Sequence, residues 1–120
     1  LFPVGSITKS FTAVLILKLV QDKKISLDET LGDVTSKYHG KLSSMIIKYP
    51  ALKEMTIREL LNHTSGVPQS INTDTFKQYF INNPYRYYSS AFLINLAMSH
   101  KVYFKPGTKG AWSYTNTDYI

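Results

Sequence analysis

Three features of this 120-residue sequence predict a mainly α-helical chain. An apolar run from Phe11 to Val20 recurs at helical spacing. Ser26-Leu27-Asp28-Glu29 and Thr56-Ile57-Arg58-Glu59 both have the spacing of a capping box, the reciprocal hydrogen-bonding pattern that opens helices. No stretch shows the strict apolar–polar alternation of a half-buried strand.

The first helix is expected from about Ser6 to Gln21. Phe11, Val14, Leu15, Lys18 and Leu19 share one face, and Ile16, Leu17 and Val20 make the other faces apolar too. Such a helix is expected to be central, with neighbours on several sides. Asp22-Lys23-Lys24 ends it. Ser26–Glu29 would start a short turn of helix that Gly32 closes, and Ser43 to Lys48 a further short helix that Pro50 ends. The helix after Thr56 carries Leu60-Leu61 and stops at Asn62-His63-Thr64-Ser65-Gly66. Gly66 is expected to take a positive φ, and Pro68 prevents continuation. Phe76, Tyr79 and Phe80 lie on another helix, ended by Asn83-Pro84. Ser89 to Ser99 forms the last one. Lys105-Pro106-Gly107-Thr108 is a turn, and Trp112 to Asn116 is extended or looped.

Composition narrows the function. With 43% hydrophobic residues and 13% aromatic ones the chain can build a core. It has no cysteine, which excludes thiol catalysis, disulfides and cysteine-ligated metal sites. No cofactor or metal is expected. The net charge of +6 is spread over scattered lysines with only Lys23-Lys24 adjacent, the pattern of a solvated surface, so no nucleic-acid partner is expected. The start at Leu1-Phe2-Pro3 and the end at Tyr119-Ile120 suggest a piece of a longer chain, with residues 1–120 a partial domain cut at both ends.

Gly5-Ser6-Ile7-Thr8-Lys9 carries the chemistry. Three residues apart on a helix, Ser6 and Lys9 share a face, which sets a hydroxyl beside an amine. A serine needs a base to become a nucleophile, and a lysine of lowered pKa can serve. The helix N-terminus favours the oxyanion that forms when a carbonyl is attacked. The plain alternative is that Ser6 caps the helix and Lys9 is solvated. With 12 Ser and 12 Lys in the chain, such a spacing arises by chance about once. Tyr114-Thr115-Asn116 is the second element. A phenol beside an ammonium can shuttle a proton, and an Asn amide can hold a substrate amide while bonding to a lysine.

Order and surroundings add weight. Phe2 and Gly5 to Ala13 resemble the nucleophile segment of the serine β-lactamase and penicillin-binding protein superfamily. The closest resemblance is to the branch of class C β-lactamases, D-alanyl-D-alanine carboxypeptidases and related esterases. Ile25-Ser26-Leu27-Asp28, Thr56 to Pro68, and Pro106-Gly107-Thr108 followed by Trp112 to Asn116 resemble successive family segments. The match at Thr56 to Pro68 is the most specific, and together the segments span almost the whole chain.

The resemblance implies Ser6 as the acylated nucleophile and Lys9 as its base or the tuner of that base. Tyr114 would return the proton to the leaving group, and Asn116 would hold the substrate amide. The Ser6 N–H would be half of an oxyanion hole. The family's third motif, Lys-Thr-Gly or His-x-Gly on a strand, is absent from these 120 residues. The implied fold is thus a fragment of the α/β β-lactamase/transpeptidase-like fold: nucleophile helix and helical lobe, without most of the sheet. Pro3, the Lys109-Gly110-Ala111 link and Thr115 in place of a commoner Ser depart from the family pattern without removing a catalytic group.

The implied function is acyl transfer to water from a β-lactam, a D-Ala-D-Ala peptide or a small ester. The alternative is a non-catalytic homologue that binds or senses penicillin or peptide. The partner is a small molecule or a peptidoglycan peptide, in a periplasmic or secreted setting; membrane association and oligomeric state stay open. His63 is expected to be structural, with no carboxylate obviously placed to orient it.

Overall fold

A computed structural model describes residues 2–120, the side chain of residue 41 excepted. Among the described residues six α-helices follow one another: α1 (Thr8–Gln21), α2 (Leu31–Lys37), α3 (Lys41–Lys48), α4 (Ile57–Leu61), α5 (Asp74–Asn82) and α6 (Ser90–Met98). Short 3-10 turns stand at Gly5–Ile7, Pro50–Leu52 and Thr117–Tyr119. Among the described residues the only β pairing is an isolated antiparallel bridge, Thr30 to Thr56.

Local chemistry accounts for the helix starts. Thr56 accepts from the Glu59 N–H at 3.2 Å while the Glu59 carboxylate accepts from the Thr56 N–H at 2.8 Å, so the expected capping box forms. Thr73 and Ser89 cap α5 and α6 in the simpler one-way manner. The expectation at Ser26 needs correction. Glu29 does reach back to the Ser26 N–H, but the segment is a turn, and α2 begins only after a second capping box, Thr30 with Asp33. Gly32 lies inside α2 instead of closing a turn. A Cβ there would stand 2.7 Å from Lys53 Cγ, so the glycine permits the close crossing of α2 and the chain at Lys53.

That crossing organises the core. Leu31 N–H donates to Met55 O at 2.8 Å, Ile57 N–H to Glu29 O at 3.0 Å, and Arg58 N–H to Leu27 O at 2.8 Å. Leu31, Ile46, Leu52, Met55, Ile57, Val67 and Ala97 form the buried cluster around it. Met55 and Ala97 are wholly enclosed.

The expectation of a buried first helix is overturned. α1 has no buried residue, and Phe11, Val14 and Leu15 are 65%, 64% and 67% exposed. Ile16 alone of α1 joins the edge of the core. The helix is apolar on more faces than these residues have elements to cover.

The segment 65–70, by contrast, is buried throughout although it has no regular structure. Its backbone groups need partners, and the chain from Tyr103 to Thr117 supplies them. Tyr103 N–H donates to Gly66 O at 2.8 Å and Gly107 N–H to Thr64 O at 3.2 Å. Gly66 has the expected positive φ, +76°, and an added Cβ would stand 2.1 Å from Phe104 O. A Gly66→Ala variant of the full-length protein should lose at least about 2 kcal/mol in urea unfolding, from left-handed backbone and collision together.

Candidate active site

Ser6 sits in the 3-10 turn that leads into α1, and Lys9 in the first turn of that helix. The capping alternative fails on geometry. Neither helix start here has a side-chain cap bond, and the Ser6 hydroxyl turns elsewhere. Ser6 Oγ lies 2.6 Å from the hydroxyl of Tyr114, 108 positions along the chain. Lys9 Nζ donates to Ser6 Oγ at 3.3 Å and to Asn116 Oδ1 at 2.5 Å. Tyr114 also donates to Asn116 Oδ1 at 3.3 Å. All four residues singled out in the sequence therefore form one hydrogen-bonded group. A cleft of about 340 Å³ opens beside it, lined by Gly5, Ser6, Thr8, Lys9, Thr12, Asn116 and Tyr119.

The electrostatics follow from these distances. The Lys9 ammonium, 4.9 Å from the Tyr114 ring centre, and then the Ser6 hydroxyl hold the phenol below its ordinary pKa. A phenol so placed gives up its proton more readily than a free tyrosine, so the phenolate that can act as a base is more accessible.

Tyr114 and Asn116 stand on an irregular segment, so something must hold it. Residues 63–70 do so. Ser113 N–H donates to His63 O at 3.1 Å, Thr117 Oγ1 to Pro68 O at 2.8 Å, and Asn116 N–H to Gln69 Oε1 at 3.0 Å. Thr115 points inward, fully buried, with its hydroxyl 3.4 Å from Pro68 O. The residue between Tyr114 and Asn116 is thus an anchor and turns away from the cleft.

One expectation about His63 is corrected. A carboxylate does orient it: Asp118 Oδ2 lies 2.9 Å from His63 Nδ1, and Asp118 Oδ1 accepts from Ser65 Oγ at 2.5 Å. The Asp118 side chain has no exposed surface. Burial pushes its carboxyl up to about 6, against the opposing pull of Ser65 and His63. Asp118 and Gln69 are the contributors that sequence reasoning missed. Asp118 stands two residues beyond Asn116, but nothing local signals that a 3-10 turn would tuck it inside.

The family model described as Beta-lactamase matches residues 1–120. The chain belongs to the β-lactamase family. Its relatives include penicillin-binding protein 4* of Bacillus subtilis (strain 168), 32% identical over 123 residues that cover 100% of this chain and 23% of that protein. Protein flp of Staphylococcus aureus (strain NCTC 8325 / PS 47) is 30% identical, covering 99% of this chain and 22% of that protein. Among solved structures, a D-stereospecific amidohydrolase from Streptomyces sp. superposes with a TM-score of 0.77 at 30% identity, over 98% of this chain and 34% of that one. This chain therefore spans about a quarter of the curated relatives and a third of the solved structure. The helical array described above is part of that larger fold, within a superfamily of serine hydrolases and penicillin-binding proteins. Among the described residues no helix is long and apolar enough to cross a membrane.

Two titrations test the electrostatics in the full-length protein. In Lys9→Met, the Tyr114 pKa should rise, read from ring-labelled tyrosine by NMR and assigned with Tyr114→Phe. Asp118, with its pKa raised from 3.8 to about 6, binds its proton more tightly folded than unfolded. Its contribution to stability is fully present below about pH 3.8 and is lost as pH rises through about 6. The unfolding free energy of wild type relative to Asp118→Asn should fall across that window and level off above it.

Proposed function

We propose that residues 1–120 are the nucleophile-bearing part of a serine hydrolase that works through a covalent acyl-enzyme. The observation that carries this reading is the Ser6–Tyr114 contact of 2.6 Å, backed by Lys9 and Asn116. An N-cap serine and a surface tyrosine would have no reason to meet across 108 positions.

In this reading Ser6 Oγ attacks the substrate carbonyl and its proton passes to the Tyr114 oxygen, the nearer of the two bases. The Lys9 ammonium favours the phenolate that must accept it. The Ser6 backbone N–H stabilises the oxyanion. When the tetrahedral species collapses, the bond to the leaving group breaks and Tyr114 gives that group its proton. Water then attacks the acyl carbon and gives a proton to Tyr114; as the bond to Ser6 Oγ breaks, Tyr114 passes that proton to Ser6 Oγ, which releases the acid and restores the free serine and the phenolate. Asn116, through its amide N–H groups, holds the substrate amide while Lys9 occupies its oxygen.

The substrate class is an amide or ester with an accessible carbonyl: a β-lactam, a D-Ala-D-Ala peptide or a small ester. A solved relative named as a D-stereospecific amidohydrolase supports an amide of D configuration, and a relative named as a penicillin-binding protein supports a β-lactam. Such substrates lie outside the cytoplasm, which supports a periplasmic or secreted setting.

The test is covalent labelling of the full-length protein by a fluorescent penicillin, read by intact mass. Wild type should gain one acyl adduct that Ser6→Ala lacks. Absence of any adduct, with penicillin and then with a small activated ester, would defeat the reading. The 120-residue chain made alone should show no steady turnover, because α1 is uncovered and these residues lack the family's third motif, whose strand the resemblance implies as the source of the second oxyanion donor. Loss of one such donor usually costs about a hundredfold or more. Sustained turnover by the isolated piece would contradict this.

A further inference from the structure

His63 and Asp118 take no part in the proton transfers above, yet they lie directly against the group that does. The His63 ring centre is 4.7 Å from that of Tyr114, with the planes tilted by 48°. The same residue holds the Tyr114 segment a second time, through the Ser113 N–H bond to His63 O at 3.1 Å. Tyr114 itself is 41% exposed. Beside the hydroxyl bonds to Ser6 and Asn116 and the Lys9 ammonium over the ring, packing against His63 braces the ring from the protein side.

The ring of His63 is in turn held firmly. Its Nδ1 is bonded to a carboxylate with no exposed surface, and that carboxylate is bonded again by Ser65. His63 also adopts φ +64°, a left-handed conformation uncommon for a residue with a side chain. Strain of this kind persists where the surroundings over-determine it, and it gathers at functional sites. Here it aims the ring at Tyr114.

We propose that His63, fastened by the buried Asp118–Ser65 pair, is a positioning residue for Tyr114, the wall that keeps the phenol hydroxyl within reach of Ser6. This rests on the reading that Ser6 and Tyr114 carry out acyl transfer. The arrangement differs from a serine–histidine–aspartate triad. Ser65 and His63 both bond to the carboxylate, with the carboxylate between them, so Ser65 is not aligned to give its proton to the imidazole. The titratable groups around the couple are Tyr114, Tyr119 and, across their rings, Lys9.

His63→Asn in the full-length protein separates aiming from folding. Asparagine accepts the left-handed backbone, and its amide can still bond to Asp118, but it removes the ring from Tyr114. Asp118→Asn does the converse, keeping the ring and loosening its fastening. Acylation of Ser6 by a chromogenic β-lactam or an activated ester, followed by stopped flow, should slow about 10- to 100-fold in both variants. A misplacement of about 1 Å is enough for that. Half-saturating concentration should change little, and the pH profile of acylation should shift with the altered surroundings of Tyr114. A folded variant of either kind with wild-type rate and pH profile overturns the proposal. If neither variant folds, the couple is a pillar of the fold and the specific positioning role falls. Absence of acylation in the wild type would defeat the acyl-enzyme reading itself, whereas wild-type acylation with unaffected variants would defeat only the role of His63.

Discussion

Everything at the cleft depends on how two irregular segments are clasped. Residues 63–70 and 113–119 have no ladder to share, yet one must be buried and the other must carry Tyr114 and Asn116. Side-chain hydroxyls do the work of a strand. Pro68, which cannot donate, offers its carbonyl to Thr117 at 2.8 Å. Gln69 takes the Asn116 N–H at 3.0 Å, and Asp118 ties Ser65 to His63. Each bond removes a polar group that would otherwise be stranded away from water, a cost of about 1–3 kcal/mol apiece. Loss of one partner would unsettle the next, because several groups share the same acceptor.

The clasp explains why the site can be rigid on a segment without regular structure. Tyr119, beyond Asp118, donates to Leu61 O at 2.8 Å at the end of α4. α4 is itself fastened to residues 27–29 through the Ile57 and Arg58 N–H groups, and Arg58 pairs with Asp28 at 2.8 Å. A continuous path of bonds therefore runs from the core around Met55 to the two residues opposite Ser6. Ser6 approaches from the other side on the turn that leads into α1, a helix with little packing of its own here. The 2.6 Å bond to Tyr114 and the Lys9 bonds to Ser6 and Asn116 are what join the two halves.

A good part of this was legible residue by residue. Thr56 with Glu59, and Ser89, mark helix starts because capping is settled within four residues. Gly66 marks a left-handed turn because no other residue enters that conformation as cheaply. Gly32 misled for a related reason. A glycine near a capping pattern suggests a stop, whereas its actual use is to let Lys53 approach, a contact between distant parts of the chain. α1 misled because apolar faces state a demand for burial without saying what meets it. His63 was read without its carboxylate because Asp118 lies 55 positions away.

The order Ser6-x-x-Lys9 and Tyr114-x-Asn116, the capped start of α4 and, among the described residues, the helical character without regular strands were determined by sequence alone. Those features rest on short-range spacing and on the chemistry of single side chains. Only the tertiary structure decided that the four groups meet, that Thr115 faces inward, and that a buried Asp118 fastens His63 beneath Tyr114. Each of these depends on contacts between segments about 50 to 100 positions apart, and burial, which sets the electrostatics of Asp118, exists only once those segments have closed on one another.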